Sequence, residues 1–95
     1  MPFTTKMRPY TRRDIESLDP NQNGVYGIFR RTIAVYIGSG DIRERMLAHI
    51  NGDNPCITRN TPNQWTAEVI SGDPTPREGA LIREYNPICN KLIPQ

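Results

Sequence analysis

Ninety-five residues with 36% hydrophobic content and nine prolines bound one small domain with a thin core and long loops. A formal net charge of +2 makes no bulk case for a polyanionic partner. No run approaches the ~18 apolar residues that span a bilayer, and the N-terminus lacks the apolar stretch of a secretory signal.

Cys56 and Cys89 stand singly beside one histidine, which argues against a Cys/His zinc site. Free thiols in a reducing, intracellular compartment are the default expectation, with a disulfide the open alternative.

Residues 1–10 carry two prolines and no periodicity and read as an extended arm. Thr11 to Leu18 predicts a short helix, capped by Thr11 and ended by the turn cluster Asp19-Pro-Asn-Gln-Asn-Gly24. Val25–Phe29 and Thr32–Ile37 are β-rich and close enough to pair as an antiparallel hairpin, although Arg30-Arg31 is poor chemistry for a tight turn. A helix over about 41–51 follows, with Asp41 as N-cap and Ile42, Met46 and Ile50 at helical spacing. Residues 52–62 read as a polar loop, and Gln64–Ile70 alternates as a third strand. Thr75–Tyr85 carries the marks of a helix start, with Thr75 at N-cap, Pro76 at N1 and Glu78 at N3. The fold class is therefore α+β, a three-stranded antiparallel sheet flanked by helices in the order α-β-β-α-β-α. The 95 residues form a single domain, divided into an arm and short helix (1–22) and a core (23–92).

Several residue types in this order carry chemistry. Arg45 and His49 stand four apart and share a helix face. Tyr26 and Tyr36 lie on adjacent strands, each beside a glycine, which often marks close approach of a ligand or another backbone. Glu78 serves as a capping carboxylate, yet helical spacing places it with Leu81, Ile82 and Tyr85. A carboxylate aimed at the buried side wants a partner or a cation, so cap, metal ligand and a mixed role all stand open. Lys6, Arg8, Arg12, Arg13, Arg30 and Arg31 make a weakly basic first third, which a solvated face explains on charge alone.

Taken together, Gly24-Val-Tyr26, Tyr36-Ile-Gly38, Arg45-x-x-x-His49, Glu78 and Asn90 at the end of Tyr85-Asn-Pro-x-x-Asn90 resemble the GIY-YIG nuclease family across residues 24–90. The turn between Gly38 and Arg45 is one residue shorter than in many members, and Gly79 interrupts a usually small-residue-rich helix.

The resemblance implies a metal-dependent endonuclease that hydrolyses DNA phosphodiester bonds, one strand per active site. It assigns Glu78 as the ligand of a single Mg²⁺ or Mn²⁺ and Arg45 as the partner of the phosphate. Tyr26 orients or deprotonates the attacking water, with His49 as an alternative proton carrier. Tyr36 and His49 hydrogen-bond the phosphate or nucleophile. By the same resemblance Gly38 is expected to admit the DNA backbone, and Asn90 to fix the geometry behind the reacting groups or support the loop near Glu78. Arg30, Arg31, Arg43 and Arg45 are the expected DNA contacts. Cutting both strands calls for a homodimer, sequential nicks or a targeting partner; no membrane association is expected, and the location is cytoplasmic or nucleoid-associated. The alternative class is a non-catalytic nucleic-acid-binding module of the same fold. The full polar set favours the enzyme, because a pure binder has no use for an isolated carboxylate beside phosphate.

Overall fold

The computed structural model describes residues 1–90; the last two positions of the expected core, 91–92, lie outside the described residues. Eight elements follow in chain order: β1 (Arg8–Pro9), α1 (Arg12–Glu16), β2 (Asn23–Arg30), β3 (Ile33–Asp41), α2 (Ile42–Ile50), α3 (Pro55–Arg59), β4 (Gln64–Val69) and α4 (Thr75–Tyr85). The sheet is four-stranded, in the order β1-β4-β2-β3, with every pairing antiparallel. Three strands were expected. The fourth comes from the arm, where Arg8 pairs with Trp65 and Pro9 with Gln64. Two residues are too few for alternation to show in sequence.

β2 is an interior strand, buried from Gly24 to Phe29, and its two faces feed two cores. Tyr26 and Ile28 join Ile15, Val35, Ile42, Met46, Ile57 and Trp65 beneath α1, α2 and α3. Val25 joins Ile37 and Leu81 beneath α4, with Phe3, Ile82 and Tyr85 packed around them. A register irregularity pairs Ile28 with Tyr36 and Phe29 with Ala34, so Val35 is the extra residue of a bulge. The bulge lets Val35 and Tyr36, adjacent in sequence, pack against the same core.

The α4 core holds only three fully buried side chains, worth roughly 1.5–3 kcal/mol each. Polar ties therefore matter there. Arg77 donates from Nε and Nη2 to both oxygens of Glu68 on β4, each at 2.9 Å. It also donates to the carbonyls of Met1 and Pro2, which holds the arm against the sheet.

Other local expectations are revised. The β2–β3 turn is tight despite its residues, with Arg30 opposite Ile33 and Arg31 at φ +56°. The Arg31 N–H donates to Asn63 Oδ1 at 3.0 Å, which steadies that conformation. Within the expected loop 52–62, α3 forms with Asn54 capping Cys56 N and Pro55 in the first turn. Cys56 and Cys89 form a disulfide, against the expectation of free thiols; it closes a separation of 33 residues. Finally, Thr75 does not cap α4. Pro74 occupies the cap position with no side-chain bond, and Asp73 accepts from Thr75 N instead.

Candidate active site

The β2–β3 pair and the helix that follows it bring four of the expected side chains together. α2 starts where Asp41 accepts from Glu44 N, so Arg45 and His49 lie on successive turns facing the hairpin. His49 is 2% exposed, and its Nε2 stands 2.8 Å from Tyr26 Oη. Its ring packs edge-on to Tyr36 at 5.1 Å between centroids, and the two phenol rings are 6.3 Å apart.

A residue that the sequence reading passed over completes this cluster. Asp53 Oδ1 lies 2.8 Å from His49 Nδ1, and Asp53 Oδ2 lies 3.6 Å from Arg45 Nη2. A carboxylate only accepts, so in the neutral ring the His49 proton sits on Nδ1 and Nε2 accepts from the Tyr26 hydroxyl. Glycine 52 was the available signal. At φ +92° it is the left-handed residue after α2, with Gly52 N bonded to His49 O and Asp53 N to Ala48 O. That paired pattern folds the chain back over the last helical turn, which brings Asp53 to His49.

Glu78 approaches from the other face of the sheet, beside the edge strand β3. Its Oε1 accepts from Ser39 Oγ at 2.9 Å, and Ser39 pairs with Val25, whose side chain lies in the α4 core. Glu78 is half-buried, and among the described residues it has no cationic partner. Its negative charge nonetheless raises the pKa of both Tyr26 and Tyr36.

Burial dominates the electrostatics. It pushes the Tyr26 phenol well above its ordinary range, with Tyr36 adding to the shift and the Arg45 guanidinium opposing it. Burial likewise raises Tyr36. It lowers His49, against the pull of Asp53. At neutral pH the resting pair is thus a neutral phenol donating to a neutral imidazole.

The donor set suits some ions better than others. Among the described residues no group of three His, Cys, Asp or Glu side chains converges, so there is no zinc-type cage. A half-buried carboxylate with one hydroxyl neighbour and, among the described residues, no competing cation suits Mg²⁺, which is held by one or two carboxylates and keeps several waters.

The chain is similar in structure to the N-terminal endonuclease domain of UvrC from Thermotoga maritima, bound to its catalytic divalent cation, magnesium. The TM-score is 0.72 at 23% identity, covering 83% of this chain and 94% of that one. Two point variants of that domain, each bound to its catalytic divalent cation, match with TM-scores of 0.72 and 0.70 at 21% and 22% identity. They cover 83% and 81% of this chain, and 94% and 91% of theirs. The fold is that of a GIY-YIG nuclease domain. Comparison with protein-family models finds no match, and comparison with curated proteins finds none either.

Within the GIY-YIG fold, the two tyrosine motifs are the adjacent strands β2 and β3, and Tyr26 pairs directly with Gly38. A Cβ at Gly38 would lie against Tyr26 Oη, 2.6 Å from Tyr26 Cζ and 3.0 Å from Tyr36 Cε2. The glycine thus makes room for the phenol. Asn90 takes the first of its two expected placements, tied to the backbone of the second motif rather than to the loop near Glu78. It donates to Ile37 O at 2.8 Å and accepts from Ile37 N at 2.9 Å, gripping the middle of the second motif. Cys89 N bonds Val35 O beside it, so residues 88–90 cover the free edge of β3.

Arg43 is half-buried on α2. Arg30 and Arg31 are not gathered with the cluster: they sit at the hairpin tip, about 13 Å along β2 from Tyr26 at ~3.3 Å per residue.

Proposed function

We propose that this chain is a divalent-cation-dependent endonuclease that hydrolyses DNA phosphodiester bonds by water attack, one strand per active site. The observation that carries the reading is the buried hydrogen bond between Tyr26 Oη and His49 Nε2, 2.8 Å long, in a cluster that also holds Arg45 and Tyr36. The structural likeness to endonuclease domains that bind a catalytic divalent cation agrees with it.

Glu78 is the residue that would hold Mg²⁺ or Mn²⁺. When bound, such an ion supplies Lewis-acid relief of charge on the phosphate and the leaving oxygen. The remaining work falls to the chain's own side chains. Arg45 offers planar donors to two phosphate oxygens and strengthens its hold as their charge grows. Tyr36 donates to the phosphate or orients the water.

Tyr26 resists ionisation because it is buried, so a free phenolate is not the working base. The phenol acts instead with the imidazole behind it. As the water oxygen bonds to phosphorus, the water proton passes to Tyr26 Oη and the Tyr26 hydroxyl proton moves to His49 Nε2. The bond from phosphorus to the leaving sugar oxygen breaks, and that oxygen takes a proton from solvent. General acid–base help of this kind contributes about 10²–10⁴-fold. Arg43 provides an additional cationic contact to the strand, while Arg30 and Arg31 at the hairpin tip serve a more distant stretch of backbone. A homodimer or two successive nicks would cut both strands.

Nicking of supercoiled plasmid in Mg²⁺ or Mn²⁺ tests the proposal. The wild-type chain is expected to relax the plasmid, and Glu78→Ala and Arg45→Ala are expected to abolish nicking. Cutting that survives Glu78→Ala would refute the site. DNA binding without any cutting would favour the non-catalytic module.

A further inference from the structure

The turn after α2 contributes a side chain that the nuclease reading does not use. Its left-handed Gly52 reverses the chain so that Asp53 lies over His49, with the carboxylate 2.8 Å from Nδ1. A Cβ at Gly52 would meet nothing within 4 Å, so the glycine is needed for its backbone conformation and not for space. The two nitrogens of His49 are therefore both committed, one to Asp53 and one to Tyr26.

We propose that Asp53 is a positioning residue of this site: it keeps the His49 proton on Nδ1, so that Nε2 faces the Tyr26 hydroxyl as an acceptor and takes its proton during water attack. The proposal rests on the nuclease reading for its kinetic part and on the hydrogen-bond geometry alone for its placement of the ring.

Without the carboxylate, the neutral ring is free to carry its proton on Nε2 and donate to Tyr26 Oη. The phenol would then have no outlet for its own proton, and the relay would run backwards. Among the described residues, Arg45, Tyr26 and Tyr36 are the other ionisable or charged groups around this ring, from α2, β2 and β3. Among these neighbours Asp53 is the only one whose side chain can do nothing but accept from Nδ1. Tyr10, from the arm, senses the same carboxylate; burial first and Asp53 second push its phenol up to about 12.

Because Asp53 also lies 3.6 Å from Arg45, a loss of activity alone would not assign its role. His49 is the only histidine of the chain, so ¹⁵N NMR of the imidazole reads one ring directly. The wild-type protein is expected to show protonated Nδ1 and unprotonated Nε2 at pH 7.5. Asp53→Asn is expected to move a large fraction of the proton to Nε2.

In plasmid nicking, Asp53→Asn should lower kcat about 10²-fold while KM stays within about twofold, consistent with a lost proton-transfer contribution. Asp53→Ala, which removes the acceptor without offering an amide, should lose a similar factor. In a His49→Gln background, Asp53→Asn should cost nothing further, since both changes break one path.

A tautomer unchanged in both Asp53→Asn and Asp53→Ala, the second of which leaves Nδ1 without its acceptor, would overturn the proposal. So would a 10²-fold loss that persists in the His49→Gln background, which would route the effect through Arg45. A tautomer that shifts as expected in a chain that never cuts DNA would overturn the nuclease reading while upholding the hold of Asp53 on the ring.

Discussion

Gly38→Ala is the smallest change that strikes the centre of the site. The new methyl would lie against Tyr26 Oη, 2.6 Å from Tyr26 Cζ and 3.0 Å from Tyr36 Cε2. Both rings also pack against His49, Tyr26 at 5.5 Å between centroids and Tyr36 at 5.1 Å. The Tyr26 ring must therefore rotate out or push β3 away. Overpacking of this kind costs about 1–3 kcal/mol. Loss of the Tyr26–His49 hydrogen bond adds about 0.5–1.5 kcal/mol. Urea denaturation should then show the variant about 1.5–4.5 kcal/mol less stable than wild type. Gly79→Ala provides the contrast: its methyl would approach only the exposed guanidinium end of Arg83, at 3.4 Å, inside helix α4. That variant should gain about 0.5–1 kcal/mol. A Gly38→Ala protein within 0.5 kcal/mol of wild type, with the His49 ring still bonded to Tyr26, would refute the packing argument.

Two further outcomes follow from the same contacts. Cleaving the Cys56–Cys89 disulfide, or replacing both cysteines by serine, releases a loop with a separation of 33 residues and should cost up to about 4 kcal/mol in chemical denaturation. Because Cys89 adjoins Asn90, amide exchange at Ile37 should speed up in the same protein; unchanged exchange would show that Asn90 holds β3 without the bridge. In the pH response, burial keeps the folded His49 below its ordinary value, so as pH falls the unfolded chain takes the proton first. Stability should be full above the unfolded pKa of about 6.5 and should fall as pH drops below it. Comparing urea midpoints at pH 7.5 and 5.5 tests this, since the Glu68 carboxyl, held low by Arg77, loses its contribution only at lower pH. His49→Gln should flatten the response between those two values.

The parts of this molecule that announce themselves in sequence are those with local causes. Thr11 caps α1, Asp41 caps α2, and the alternation around Trp65 marks β4, because a cap or a two-residue period needs only its own neighbours. The Tyr26, Tyr36, Arg45 and His49 grouping was legible because the hairpin and helix α2 are continuous in the chain. What escaped depends on distant partners. β1 exists only because Arg8 and Pro9 meet β4, and the Arg8 guanidinium sits 4.8 Å over the Trp65 ring. Helix α3 did have a local signal, Asn54 followed by Pro55, hidden in a polar stretch that read as loop. Thr75 has the spacing of a cap, yet its own backbone N–H donates to Asp73, and the Glu78 N–H that a Thr75 cap would accept donates to Pro74 O. Ser39 and the disulfide are tertiary facts, with partners across a sheet or 33 residues away, whereas Asp53 reaches His49, four residues back, through the local reversal at Gly52.

Tyr26→Phe is the most direct test of the account. It keeps the ring over Gly38 and removes one oxygen, so the fold should stand while the link to His49 is lost. Single-turnover cleavage of labelled duplex DNA in Mg²⁺ should slow by about 10²–10⁴-fold relative to wild type. A folded Tyr26→Phe chain that cuts at the wild-type rate would contradict a proton path through the phenol and the imidazole.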